Sequence, residues 1–320
     1  MSDSSASTPF PERCASRAHY PQLRFENGQR WLWNPARRQL LKMRPEERVR
    51  LQVMEWLHHE CGIPMHRMSS ELPVKLRLKP AEALKRADIL AYSADFKPFL
   101  LIECKAEDVR LNEKAAVQIA AYNEDIRAPY LMLTNGREER CYEIEESRPV
   151  RRIHSERFIQ KNQTTLTALR RELVYWQRRG FAGSSIPGFE ALPQALTFLF
   201  TEGDHECRFL QVSASGAYPD FSHYYAIYND WAITIAADEQ GGSWLVALND
   251  TPGHDNRMLC YELSQRSQLP PVWLEPGQEF SLQDEPHESL LEPLRQPDEH
   301  ILARLVARLR DLSQFTNITG

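Results

Sequence analysis

The sequence predicts an α/β domain with a mixed sheet, followed by a mostly β domain that ends in a helix. Three observations carry this. In the first half, apolar periodicity runs helix, three strands, helix, two strands. From Ala182 onward the apolar runs are short and are punctuated by Gly, Pro, Asp and Asn clusters. Near the C-terminus, Asp298 precedes Ile301, Leu302, Leu305, Val306, Leu309 and Leu312 at helical spacing.

In chain order, Ser2 to Pro11 has no apolar signal core, and residues 1–19 are expected to form a disordered tail. Residues 20–150 are expected to form the first domain, 151–181 a basic linker and bridging helix, and 182–320 the second domain. Tyr20 to Leu41 reads as a short strand or an irregular cover. Pro45-Glu46-Glu47 opens a helix, because proline suits the first helical position and acids suit the positive end. Val49, Val53, Trp56 and Leu57 continue it, and Gly62 and Pro64 end it. Leu72 to Leu78 alternates apolar and basic residues, as a strand with one exposed face would, and Lys79 to Leu84 turns the chain. Lys85 to Tyr92 and Phe99 to Lys105 form a hairpin across Ser93 to Pro98. Asn112 caps a helix running to about Ile126. Pro129 to Thr134, the Asn135-Gly136 turn and Cys141 to Ile144 complete the sheet.

Beyond the first domain, Arg148 to Gln163 is polar and basic, and Leu166 to Arg179 reads as one helix stopped by Gly180. The β-type runs that follow are Cys207 to Val212, Tyr224 to Tyr228, Trp231 to Ala236, Ser243 to Leu248 and Arg257 to Leu263. Tyr224, Tyr225, Tyr228, Trp231 and Trp244 suit either a base-stacking platform or the packing of a β core.

Composition narrows the function. A formal charge of -5 excludes a broadly basic wrapper of nucleic acid, so a polyanion would have to meet local patches. The six cysteines are scattered without CxxC spacing, which fits reduced thiols in a cytoplasm better than a zinc site or a disulfide framework. No apolar run approaches the ~18 residues of a membrane span.

The hairpin carries the chemistry. Glu103 and Lys105 are two apart on a strand and share a face, while Cys104 points away. In register, Asp88 lies on the neighbouring strand near Glu103. Two carboxylates and an ammonium at the edge of an apolar sheet cost several kcal/mol each unless compensated, and a divalent cation would compensate. A same-face Glu103–Lys105 ion pair without metal is the simpler alternative. Arg86 could pair with Asp88 or meet a phosphate.

Five segments, taken together and in order, resemble the N-terminal nuclease domain of type I restriction enzyme R subunits, within the PD-(D/E)XK nuclease superfamily. They are Arg44-Pro45-Glu46-Glu47-Arg48-Val49-Arg50, Arg86-Ala87-Asp88-Ile89, Leu101-Ile102-Glu103-Cys104-Lys105-Ala106, Gln118-Ile119-Ala120-Ala121-Tyr122-Asn123, and Pro129-Tyr130 through Thr134-Asn135-Gly136. The resemblance covers about residues 40 to 150 and implies a restriction-endonuclease-like α/β/α core. It implies Mg²⁺, for which Mn²⁺ can substitute, held by Asp88, Glu103, the main-chain carbonyl of Cys104 and Glu47, with Glu46 as the fallback. It implies that Lys105 holds or helps to activate the attacking water, and that Gln118 and Tyr122 orient Lys105 or a phosphate. The activity implied is a metal-dependent deoxyribonuclease in restriction or other anti-phage defence. The partners are DNA and either a second copy of the chain or other subunits of a defence system. The rival expectation is a nucleic-acid-binding or sensing protein whose nuclease fold is idle or waits for a partner. The chain departs from R subunits in having no GxxxxGK[ST] phosphate loop, so no ATP is expected.

Overall fold

The computed structural model describes residues 14–74, 85–145, 148–160, 163–184, 186, 188–212, 218–249, 257–264, 271–275, 278–282 and 287–316. It shows a mixed α/β chain in two compact units: Met1–Pro21 with Trp31–Leu166, and Gln22–Arg30 with Thr167–Gly320. No helix among the described residues is long and apolar enough to cross a membrane.

The segment read as a strand or irregular cover contains three strands, β1 (Gln22–Glu26), β2 (Gln29–Asn34) and β3 (Gln39–Leu41). In the first unit β2 pairs with β3 through Leu32↔Leu41 and Trp33↔Leu40. Helix α1 (Pro45–His59) starts at Pro45 with Glu46 and Glu47 in its first turn, as the sequence predicts. Val49, Leu51, Val53, Met54, Trp56 and Leu57 are all buried, so α1 is enclosed on most sides.

A six-stranded sheet follows, in the order β4 (Met68–Val74), β5 (Lys85–Tyr92), β6 (Pro98–Cys104), β7 (Tyr130–Thr134), β8 (Glu139–Glu143), β9 (Arg151–Ile153). All neighbours are antiparallel except β6 and β7, which run parallel across the helix α2 (Glu113–Ile126). A parallel pair requires such a crossover. Alternation puts Leu101, Leu131 and Leu133 on the α2 side, where they pack with Ala115, Ile119 and Tyr122. Fully burying side chains of this kind contributes about 1.5–3 kcal/mol each. The helix is capped by Asn112, whose side chain accepts from the Ala115 amide, and it ends at Arg127 in the left-handed region. After β7 the chain turns at Gly136, φ +81°. A Cβ there would lie 3.3 Å from Val49 Cγ2, so α1 and the turn approach closely because this residue is glycine.

Several boundaries differ from the sequence reading. Residues 75–84, which include Lys79 to Leu84, and residues 1–13 lie outside the described residues. Ala15–Ala18 forms a 3-10 turn with Ser16 buried, and Cys14 is buried too; a short apolar and polar anchor of this kind is too small to give a periodic signal. Strand β9 joins the sheet where a linker was expected, because Arg151, though exposed, pairs with Glu143 on β8. Leu166 to Arg179 is two helices, α3 (Gln163–Arg170) and α4 (Leu173–Gln177). The break falls at the extended Glu172. The Trp176 indole donates to the Arg170 carbonyl at 2.7 Å, satisfying a carbonyl that a continuous helix would have used.

In the second unit, helix α5 (Leu192–Thr197) precedes a seven-stranded antiparallel meander: β10 (Glu206–Leu210), β11 (His223–Tyr228), β12 (Trp231–Ala237), β13 (Ser243–Asn249), β14 (Arg257–Glu262), β15 (Val272–Glu275) and β16 (Gln278–Ser281). Short helix α6 (Glu292–Arg295) and helix α7 (Ile301–Thr316) close the chain. Tyr225 and Trp244 pack in the sheet's core with Phe221, Val246 and Val272. Tyr224 and Trp231 are also buried, leaving only Tyr228 of the five aromatics substantially exposed. The aromatic cluster is therefore core packing, not an open stacking platform. At the start of β2, Arg30 donates to the carbonyls of Ser222 and Ala237 at 2.6 Å each, and on β1 the Leu23 amide donates to the Arg178 carbonyl at 2.8 Å.

Candidate active site

The site lies where β5 and β6 part. Their ladder ends at Ile89↔Ile102, and the next residues outward are Asp88 and Glu103. Both are buried, at 6% and 2% exposure, in a region otherwise lined by Ala87, Ile89, Ile102 and Cys104.

Asp88 is held on both oxygens. Its Oδ2 accepts from the Cys104 amide at 2.7 Å, and its Oδ1 accepts from Arg50 Nη2 at 2.6 Å. Arg50 comes from α1, three residues after Glu47, so the two share a helix face. Its second prong, Nη1, donates to Glu47 Oε1 at 2.6 Å. One guanidinium thus joins an acid of α1 to an acid of β5. Burial opposes charge on Arg50, but Asp88 and Glu47 outweigh it and raise its pKa, so the fork stays cationic.

Glu103 is held on one oxygen only. Its Oε1 accepts from Lys105 Nζ at 2.6 Å and from Gln118 Nε2 at 2.6 Å. The Gln118 amide also donates to the Tyr122 hydroxyl at 2.9 Å. The same-face ion pair considered from the sequence is therefore present, and the α2 residues orient it. Glu103 Oε2 is buried without a hydrogen-bond partner, and so is Glu47 Oε2. Burial, followed by the negative charge of Asp88, pushes the Glu103 carboxyl up to about 7 despite Lys105. Burial likewise raises Glu47, with Arg50 opposing and Glu71 and Asp88 adding to the rise. Desolvation opposes charge on Lys105, but the bond to Glu103 and the charges of Glu103, Asp88 and Glu46 together outweigh it and keep its pKa above the ordinary value.

Glu47 meets Arg50 and Asp88, while Glu46, though exposed, is near enough to Glu103 and Lys105 to raise the pKa of both. Arg86 is 61% exposed along its side chain and lies 3.6 Å from Glu71, so it does not neutralise Asp88; Arg50 does. Tyr122 serves both as core and as acceptor for Gln118.

Two residues were missed from the sequence. Arg50 had a signal, a basic residue between the buried Val49 and Leu51 and three after Glu47. Glu71 had none. It lies between the pairs Ser70↔Ile89 and Leu72↔Ala87, level with Asp88, with φ +53°. A left-handed glutamate within a strand is a strained backbone. Glu71 Oε1 is 3.9 Å from Arg50 Nη1, and Oε2 pairs with Arg37.

Among the described residues, no group of three or more His, Cys, Asp or Glu forms a ready metal cluster. The reason is visible: Arg50 lies between Glu47 and Asp88, and Lys105 lies on Glu103. The donor set nevertheless fits a hard cation. Carboxylate oxygens are the ligands that Mg²⁺ prefers, and two of them here are buried with nothing to accept.

The fold and the site define a class: a mixed α/β domain with a buried acid–lysine cluster at the end of a strand hairpin. Within it, residues 45–155 match the family described as type I restriction enzyme R protein N terminus (HSDR_N). The resemblance carried by the five sequence segments is thereby shown for this part of the chain, which is less than half of it. No curated protein matches the chain.

Proposed function

We propose that the protein is a cytoplasmic, Mg²⁺-dependent endonuclease that hydrolyses DNA phosphodiester bonds in restriction or anti-phage defence. The observation that supports this best is the pair of partnerless buried carboxylate oxygens, Glu103 Oε2 and Glu47 Oε2, beside Asp88 and Lys105. It falls within the segment that matches the R protein N terminus. Leaving such oxygens bare costs about 1–3 kcal/mol each, which a structural site would avoid.

Glu47, Asp88 and Glu103, with the main-chain carbonyl of Cys104, would hold the cation. When bound, it supplies Lewis-acid polarisation of the phosphate and a lowered water pKa. Lys105, kept charged by Glu103, acts as a donor that steadies negative charge on the phosphoryl oxygens rather than as a base. Gln118 fixes the Glu103 carboxylate, and Tyr122 fixes Gln118. The absence of a phosphate loop from the sequence fits hydrolysis without ATP.

A second reading has its own support. Both Asp88 oxygens are already satisfied, which is what an idle fold or one awaiting a partner would show. Supercoiled plasmid incubated with Mg²⁺, Mn²⁺ or EDTA separates the two. Metal-dependent nicking or linearisation that is lost in Lys105→Met supports the nuclease; intact plasmid with every metal sinks it. A parallel incubation with RNA reports the sugar preference.

A further inference from the structure

Arg50 is not among the residues that the nuclease reading requires, yet it is the most connected side chain of the site. It is 6% exposed, and its two terminal nitrogens reach acids on different elements, Glu47 on α1 and Asp88 on β5. Asp88 is pinned on its other side by the Cys104 amide, so its carboxylate plane is fixed from two directions. Glu71, level with Asp88 and strained in backbone, lies behind the same guanidinium. A lone positive charge could neutralise these acids, but only a planar fork can set the distance between two of them.

We infer that Arg50 is a positioning residue for a divalent cation: its fork sets the spacing of the Glu47 and Asp88 carboxylates beside Glu103. This rests on the proposed function and adds to it a residue that touches neither substrate nor metal. A residue of this kind affects metal affinity through the ligands it orients, typically by about 10- to 100-fold. The rival physical role is opposite in sign. If Arg50 only offsets negative charge, its removal leaves a more acidic site that binds a cation more tightly.

The test is Mn²⁺ binding to the full chain at pH 8, read from the free-ion electron paramagnetic resonance signal, for wild type, Arg50→Lys and Arg50→Gln. Circular dichroism melts run alongside. Positioning predicts that both variants bind Mn²⁺ about 10- to 100-fold more weakly while folded, with Lys failing to rescue despite its charge. Wild-type affinity in folded Arg50→Lys, or wild-type or tighter affinity in folded Arg50→Gln, overturns it. Absence of Mn²⁺ binding by the wild type overturns the metal reading itself, and this inference with it, before any variant is compared. If neither variant folds, a wild-type crystal soaked in Mn²⁺ decides: Arg50 still bridging Glu47 and Asp88 supports the inference, and a displaced guanidinium refutes it.

Discussion

Replacing Glu103 by glutamine is expected to stabilise the metal-free protein at pH 8 relative to wild type, and to do so less at pH 5. The carboxyl is buried and its pKa is raised from the ordinary 4.5 to about 7, by burial first and then by Asp88. A carboxyl whose folded pKa lies above its unfolded one holds its proton longer in the folded state. Folding then takes up a proton, and stability falls as pH rises from about 4.5 to about 7. At about 1.4 kcal/mol per tenfold in proton affinity, the full fall is on the order of 3 kcal/mol. Glutamine has no proton to lose and escapes it. It keeps an acceptor for Gln118 but loses the negative charge that pairs with Lys105, whose side chain is 23% exposed and can turn to water. The lost pair offsets the gain by about 1 kcal/mol. Urea unfolding in EDTA at pH 5 and pH 8 measures both differences. A Glu103→Gln variant no more favourable, relative to wild type, at pH 8 than at pH 5 refutes a raised Glu103 pKa.

Other outcomes follow from the same contacts. Asp88→Ala should cost about 3–5 kcal/mol, because it strands the buried Arg50 and the Cys104 amide, so its loss of cleavage must be read beside a melt. Lys105→Met should abolish plasmid cleavage with a stability change of only about 1 kcal/mol, which makes it the cleaner test of chemistry. Asn112→Ala removes the cap of α2 and should lower stability by about 1 kcal/mol in urea unfolding, with Gln118 carried on the loosened helix. Arg30→Met strips two part-buried carbonyls of their donor and should destabilise the second unit by about 1–3 kcal/mol, seen as a lower melting temperature in calorimetry.

Much of the first unit was legible because its signals are local. Proline and acids mark the start of α1, Asn112 marks that of α2, and short continuous apolar runs mark β5, β6 and β7. Glu103, Lys105, Gln118 and Tyr122 could be linked because spacings of two on a strand and four on a helix fix shared faces. Arg50 escaped because a basic residue in a helix is ordinarily solvated, and nothing in the local sequence reveals that its partner is 38 positions away. Glu71 escaped because a left-handed φ in a glutamate has no compositional mark. In the second unit, β15, β16 and the four-residue helix α6 were too short to give a periodic signal.

The second unit recruits residues 22–30 from a point in the chain long before the rest of it. Arg30 waits for carbonyls 192 and 207 positions downstream. At translation rates of about 5–20 residues per second, that is roughly 10–40 s during which this segment is outside the ribosome without its final neighbours. The intervening residues, 31–166, are complete well before then and can close on their own contacts first. Synthesis therefore favours an order in which the acid-bearing unit matures early while a short N-terminal segment stays unclaimed, open to chaperones or to pairing with another nascent copy until the last strands arrive.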